Sequence, residues 1–178
     1  MTTPTTSTTR LPLAPARALT LLVALLIAAA FLLPRPAAAF GEGEAKVVYH
    51  ADFADPRRFS AMLTSINNMV THYNDNLMDY DVRIVFVSHG IRFLTDNPLE
   101  NTPFAEDEAL REARDNLRGR LSSLRSVHNV QFELCDITRS AVQLDEGDFY
   151  EGVELVPSGV VRIAELQSEE GFSYLKIE

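Results

Sequence analysis

Short apolar runs alternate with helical apolar stripes along the chain, and this alternation constrains the fold more than any other feature. One run, 81–88, is nearly continuous in Val, Ile and Phe, as expected of a strand that is covered on both faces. Strands that alternate with helices form right-handed βαβ units and a mainly parallel sheet. The sequence therefore predicts a three-layer α/β/α domain with a mainly parallel five-stranded sheet. The predicted strands are 46–51, 81–88, 129–134, 152–156 and 172–177.

Apolar residues recur every three or four positions over 59–73 and 110–124, which predicts two long amphipathic helices. Asp55-Pro56 marks the start of the first helix, because aspartate is a good N-cap and proline is tolerated at the first helical position. Thr102-Pro103 gives the same start signal for the second helix. Shorter helices are expected over 137–144 and 160–168, and an irregular segment that allows one helical turn over 91–101.

Residues 1–39 have the three parts of a secretory signal peptide. Arg10 and Arg17 give a positively charged start, and an apolar run of 16 residues follows over 18–33. A membrane-spanning helix needs about 20 apolar residues, so this run is short for a span. Ala37 and Ala39 are the small residues that signal peptidase requires, which predicts cleavage after Ala39.

The alternative for this segment is an uncleaved N-terminal anchor, because the apolar run is slightly long for a signal sequence. With either outcome the folded part lies outside the cytoplasm, so a periplasmic or secreted location is expected. Residues 40–45 are then a polar, flexible lead-in, and 46–178 form the folded domain.

The charge of the folded part excludes two classes of partner. Residues 1–39 hold three arginines and no acidic residue. The remaining 139 residues therefore carry a formal charge of −12, from 13 basic and 25 acidic residues. Phosphate binding needs clustered cations, so no nucleic-acid partner is expected. An acidic domain is not attracted to an anionic surface, so no membrane association is expected once the signal is cleaved.

Four segments with chemically capable side chains follow the predicted strands. In an open parallel sheet, ligands bind beyond the carboxyl ends of the strands, so these segments would meet at one edge. They are His50, Ser88-His89-Gly90, Cys135-Asp136 and Pro157-Ser158-Gly159.

Cys135 is the strongest candidate for a functional residue. It is the only cysteine, so the chain forms no intramolecular disulfide. It ends a strand and precedes a short helix, where the helix dipole would lower the pKa of its thiol. Arg139 would add a nearby cation, whereas the carboxylate of Asp136 would disfavour the thiolate. The alternative is that Cys135 is a small buried apolar residue with no chemical role.

The two strand-end histidines allow a functional and a structural interpretation. His89, beside Gly90, would donate or accept a proton at a ligand site, or would only bond loop carbonyls, and the same choice holds for His50. If His50, His89 and Cys135 converged, they would make a set of ligands suitable for zinc or copper. No short-range ligand spacing supports such a site, so no metal and no cofactor is predicted.

Four segments together resemble the DsrE/DsrF-like family, the sulfur-relay family that includes the Tus proteins of tRNA thiolation. The resemblance covers about residues 45–178 and depends on the order and spacing of the segments. They are Lys46-Val-Val-Tyr-His50, Val82-Arg-Ile-Val-Phe-Val-Ser-His-Gly90, Val130-Gln-Phe-Glu-Leu-Cys135 and Val153-Glu-Leu-Val-Pro-Ser-Gly159.

The resemblance implies a compact α/β/α domain that assembles into homo- or hetero-oligomers. It also implies that Cys135 accepts sulfane sulfur as a persulfide and passes it on. The resulting hypothesis is an exported sulfur carrier or sulfurtransferase-like protein, with a sulfur donor or acceptor protein as its partner. Cys135 would carry the sulfur, and His89 or Arg139 would stabilise the anionic persulfide. The alternative is a non-catalytic oligomeric module of the same fold that binds a ligand or a partner.

Overall fold

A computed structural model describes residues 44–178. The predicted signal peptide and its cleavage site lie outside the described residues. The strands are β1 (Ala45–Ala51), β2 (Tyr80–Phe86), β3 (Gln131–Cys135), β4 (Val153–Val156) and β5 (Ser173–Leu175). The α-helices are α1 (Pro56–Asp75), α2 (Glu108–His128), α3 (Asp136–Val142) and α4 (Gly159–Ser168). Two short 3₁₀ helices span Ser88–Phe93 and Glu146–Asp148. None of the helices among residues 44–178 has the length and apolar character needed to cross a membrane.

The five strands form one sheet in the order β4-β3-β2-β1-β5, and every neighbouring pair is parallel. The first four strands are added in one direction across the sheet. Helix α4 then carries the chain back, so that β5 pairs with β1 at the opposite edge. The predicted α/β fold with a parallel five-stranded sheet is confirmed.

The two faces of the sheet are covered unequally. Helices α1 and α2 pack together over one face and bury the larger apolar core. On α1 the buried side chains recur at helical spacing, as the sequence predicts: Phe59, Met62, Leu63, Ile66 and Val70. Helix α4 covers the other face and buries a smaller cluster against β1 and β2. This cluster consists of Val48, Val85, Ile163, Leu166 and Phe172.

The start of α2 differs from the sequence prediction. The helix begins at Glu108, with Asp107 as the N-cap whose carboxylate accepts a hydrogen bond from the Leu110 N–H. Thr102 lies in a preceding turn, where its hydroxyl donates to the Leu99 carbonyl. Thr102-Pro103 is therefore a turn rather than a helix start, because its hydroxyl stabilises a local loop.

The segment 91–101, predicted to be irregular with room for one helical turn, does contain part of a short helix. The 3₁₀ helix Ser88–Phe93 occupies its beginning, and its last four residues are buried. β2 accordingly ends at Phe86, two residues earlier than predicted. The 3₁₀ helix packs tightly against the end of β1 because Gly90 has no side chain. A Cβ atom at Gly90 would overlap the carbonyl oxygen of Ala51.

We expect Gly90→Ala to destabilise the fold by about 1–3 kcal/mol, because the added methyl group would displace the Ala51 backbone. The matched control is Gly119→Ala in the middle of α2, where a Cβ atom meets no atom within 4 Å. Alanine should stabilise that helix by about 0.5–1 kcal/mol. Urea unfolding of both variants measures the difference, and equal stability of the two would contradict the assignment at Gly90.

Candidate functional site

The carboxyl ends of the parallel strands form one edge of the sheet, where the predicted site residues lie. Cys135 is the last residue of β3 and pairs in register with Val156 at the end of β4. It is also the N-cap residue of α3. Ser88 follows the end of β2, and its N–H donates to the hydroxyl of Thr138 in α3 over 3.0 Å. This hydrogen bond joins the segment that follows β2 to the helix that follows β3.

Two helices begin beside Cys135. Helix α3 starts directly after it, and α4 starts at Gly159, which lies against the cysteine side chain. A Cβ atom on Gly159 would lie 2.5 Å from Cγ2 of Val87 and 3.1 Å from Cβ of Cys135. Only glycine therefore allows α4 to begin this close to the end of β3.

The environment of Cys135 favours the thiolate. Cys135 is buried, with 4% of its surface exposed, and burial by itself raises the pKa of the thiol. The backbone N–H groups of Gly159, Thr138 and Ile137 and the Thr138 hydroxyl outweigh this effect, and the pKa of Cys135 is lowered. The thiol makes no regular capping hydrogen bond, so these N–H and O–H groups interact with the sulfur only weakly. The expected position at a helix start is confirmed, and the side chain is buried.

Thr138 contributes more than sequence reasoning anticipated. Its hydroxyl oxygen accepts the Ser88 N–H, which leaves the hydroxyl proton free to donate to the sulfur. The sequence also predicts Gly159 at this edge, but it does not predict a role for it. A glycine at the start of a helix that follows a strand weakly indicates that two backbones lie close together. Nothing in the sequence around Thr138 indicates a contact with the thiol.

Arg139 binds Asp136 rather than the thiol. Its Nε lies 2.6 Å from Oδ1 of Asp136, and its Nη1 donates to the Leu144 carbonyl. The hydrogen bond to Asp136 raises the pKa of Arg139. Arg139 therefore offsets the carboxylate that would otherwise oppose the thiolate, and direct stabilisation of a persulfide by Arg139 stays a prediction.

His89 lies in the 3₁₀ helix after β2 and is partly buried. Its Nδ1 atom is 3.2 Å from the Ser88 hydroxyl, and its ring is edge-on to Phe104 at a centroid distance of 5.2 Å. These contacts hold the ring between Ser88 and Phe104. A role for His89 toward the sulfur of Cys135 also stays a prediction.

His50 lies at the end of β1, against the edge strand β5. Its Nδ1 atom is 3.1 Å from the Tyr174 hydroxyl, and its Nε2 atom is 3.9 Å from the Asp52 carboxylate. Burial lowers the pKa of His50. Among residues 44–178, no three His, Cys, Asp or Glu side chains are grouped so that they could hold a metal ion. His50, His89 and Cys135 are therefore not brought together as metal ligands.

Exposed apolar side chains stand on the first turns of the two helices that begin beside the thiol. Ile137 of α3 is 64% exposed, and Val160 and Val161 of α4 are 58% and 51% exposed. A separate groove of about 640 Å³ lies along α2, lined by residues that include Arg118, Arg125 and Tyr150. Cys135 does not line this groove, so the two features are distinct.

Comparison with known proteins identifies the family of the chain. The model of the DsrE/DsrF-like family matches residues 47–177. The chain belongs to the DsrE/DsrF-like family. No curated protein matches it.

Among solved structures, this DsrE/DsrF-like chain is similar to a protein of unknown function, MTH1491, from Methanobacterium thermoautotrophicum. The two are 26% identical and superpose with a TM-score of 0.56. The match covers 75% of this chain and 99% of the other. The resemblance inferred from the four segments is thereby confirmed.

We expect the alkylation rate of native Cys135 to reach half its maximum at a lower pH than in the urea-unfolded chain. The reason is that the donors around the sulfur lower the pKa of the folded thiol, so that the thiolate forms at lower pH. Rates of iodoacetamide modification, measured by mass spectrometry across pH, give both midpoints. A folded midpoint at or above that of the unfolded chain would contradict the lowered pKa.

Proposed function

We propose that this protein is a sulfur carrier in which Cys135 holds sulfane sulfur as a persulfide. The observation that supports this role is the position of the single cysteine at the starts of α3 and α4, with donors that favour its anion. A thiolate is the nucleophile in sulfur exchange, and the same donors would stabilise the anionic persulfide that forms.

The transfer step needs no external oxidant or reductant. The Cys135 thiolate attacks the outer sulfur of a donor persulfide, R–S–SH. The S–S bond of the donor breaks, its inner sulfur leaves as a thiolate, and Cys135 becomes Cys–S–SH. In the second half, the thiolate of an acceptor attacks the outer sulfur of this persulfide and regenerates the Cys135 thiolate. The sulfane sulfur atom passes from the donor to Cys135 and then to the acceptor. Each attack consumes one thiolate and releases another, so there is no net oxidation or reduction.

The burial of Cys135 would protect the bound sulfur from solvent. With 4% of the residue exposed, the thiol is shielded from bulk solvent between the two helix starts. Shielding suits a carrier outside the cytoplasm, because exposed thiols are readily oxidised there. A sulfur donor or acceptor protein would approach from the carboxyl edge of the sheet, where Ile137 and Val160 are exposed.

Wild-type protein incubated with a persulfide donor should gain the mass of one sulfur atom, and Cys135→Ser should gain none. The hydroxyl of serine does not form a persulfide, while its size keeps the packing against Gly159. Intact-mass spectrometry measures the gain, and reduction should remove it from the wild type. Equal labelling of the two proteins would disprove the carrier role of Cys135.

A second candidate function is a non-catalytic oligomeric module that binds a ligand or a partner. The groove of about 640 Å³ along α2, which is separate from Cys135, favours this possibility. In that case Cys135→Ser would leave binding intact and the native thiol would resist modification. Self-association, which the family resemblance implies, stays a prediction for both candidates.

The carrier is further proposed to be exported, from the charge and apolar pattern of residues 1–39. N-terminal sequencing of the protein from a secreting bacterial host should begin at Phe40 if cleavage follows Ala39. Replacing Ala37 and Ala39 by Phe should block cleavage, because signal peptidase requires small side chains there. An intact leader on the wild-type protein in the membrane fraction would favour the anchor alternative.

A further inference from the structure

A buried carboxylate lies two residues before Cys135 on β3. Glu133 is 2% exposed, and since side chains alternate along a strand it lies on the same face of the sheet as Cys135. Its Oε1 atom accepts from Arg83 of β2 over 2.9 Å. Its two oxygens also accept from Nε and Nη2 of Arg162 over 2.9 and 3.2 Å. A buried acid with two arginine partners is costly to desolvate, which points to a role beyond filling the core.

Arg162 is on α4, three residues after Gly159. Residues three apart lie on the same side of a helix, so Gly159 and Arg162 both face β3. Helix α4 therefore touches β3 at two adjacent points, with Gly159 against Cys135 and Arg162 against Glu133. The first contact delivers a backbone N–H to the sulfur, and the second is a two-point ion pair.

Both arginines of this cluster are themselves held in place. Arg83 bonds the Asp81 carboxylate and lies over the ring of Phe172, with its guanidinium carbon 5.0 Å from the ring centre. Arg162 also bonds Glu170, two residues after the end of α4, over 2.7 Å. The arrangement matches the planar fork of arginine, which lysine does not reproduce.

We propose that Glu133 and Arg162 are positioning residues for Cys135, because their ion pair holds the first turn of α4 against the end of β3. This contact keeps the Gly159 N–H directed at the sulfur. The inference deepens the proposed carrier function, and it rests on that function for why a reactive thiol matters. The contacts between α4 and Cys135 themselves do not depend on whether the thiol carries sulfur.

Arg162 is the residue to change, since Glu133 retains its bond to Arg83 when Arg162 is removed. No buried carboxylate is then left unpaired, and Arg162→Gln is expected to fold. Several other charged or titratable side chains lie on the elements around the thiol, and the variant leaves them unchanged. They are Arg83, His89, Glu133, Asp136, Arg139 and Glu154.

The experiment is the pH profile of native Cys135 alkylation in the full chain. In Arg162→Gln the midpoint of the alkylation profile should rise by roughly half a pH unit to one pH unit, because the N–H groups at the start of α4 are no longer held against the sulfur. Arg162→Lys separates position from charge. It keeps the cation but loses the fork, and its midpoint should lie between those of the wild type and Arg162→Gln.

The matched control is Arg120→Gln. Arg120 also ties two elements together, through bonds from its guanidinium to Ser60 and Thr64 of α1, but on the opposite face of the sheet. Its alkylation midpoint should equal that of the wild type. Circular dichroism tests whether each variant is folded. If Arg162→Gln does not fold, the midpoint of Arg162→Lys decides the result.

A wild-type midpoint in Arg162→Gln would overturn the proposal. A wild-type midpoint in Arg162→Lys would also overturn it, because the charge and not the two-point contact would then be responsible. The proposed carrier function fails separately, through absence of sulfur loading on wild-type Cys135. A shifted midpoint without sulfur loading would keep the positioning role and remove the carrier role.

Discussion

The contact between the first residue of α4 and the end of β3 is the constraint on which the site depends. Gly159 has no side chain, so α4 begins directly against Cys135. A second helix, α3, starts at the next residue after the cysteine. Two helix starts therefore direct backbone N–H groups toward one buried sulfur. Burial raises the pKa of the thiol, but these groups and the Thr138 hydroxyl together lower it. The fold produces this arrangement because β3 and β4 are adjacent and parallel, so that the helices after them begin at the same edge.

The unequal covering of the sheet also bears on the site. The face under α1 and α2 is apolar, whereas the face covered by α4 holds five buried apolar residues and an ion-pair cluster. In that cluster Glu133 lies between Arg83 and Arg162, and the cations compensate the buried carboxylate. An acidic domain thus places one arginine, Arg162, on the helix that contacts the thiol and another, Arg83, on a strand of the face that this helix covers.

Sequence reasoning succeeded where the signal was local and repeated. The apolar spacing of α1 and its Asp55-Pro56 start correspond to the observed helix, whose N-cap carboxylate accepts from the Arg57 N–H. It failed at α2, where Thr102-Pro103 has the composition of a helix start but forms a turn. The reason is that Asp107 competes successfully for the N-cap position: its carboxylate both caps α2 and pairs with the buried Arg92. A tertiary ion pair of this kind is invisible to local pattern.

The sequence by itself determined the alternation of strands and helices, the parallel sheet and the arrival of Cys135 at its carboxyl edge, because hydrophobic periodicity and chain connectivity decide these. It also contained the segments by which the family is recognised. Only the tertiary structure decided that Cys135 is buried, that Arg139 binds Asp136 and that the strand-end histidines remain in separate contacts. It alone revealed the contacts of Thr138, Gly159, Glu133 and Arg162. These features depend on distances between residues far apart in the chain, which no spacing along the sequence encodes.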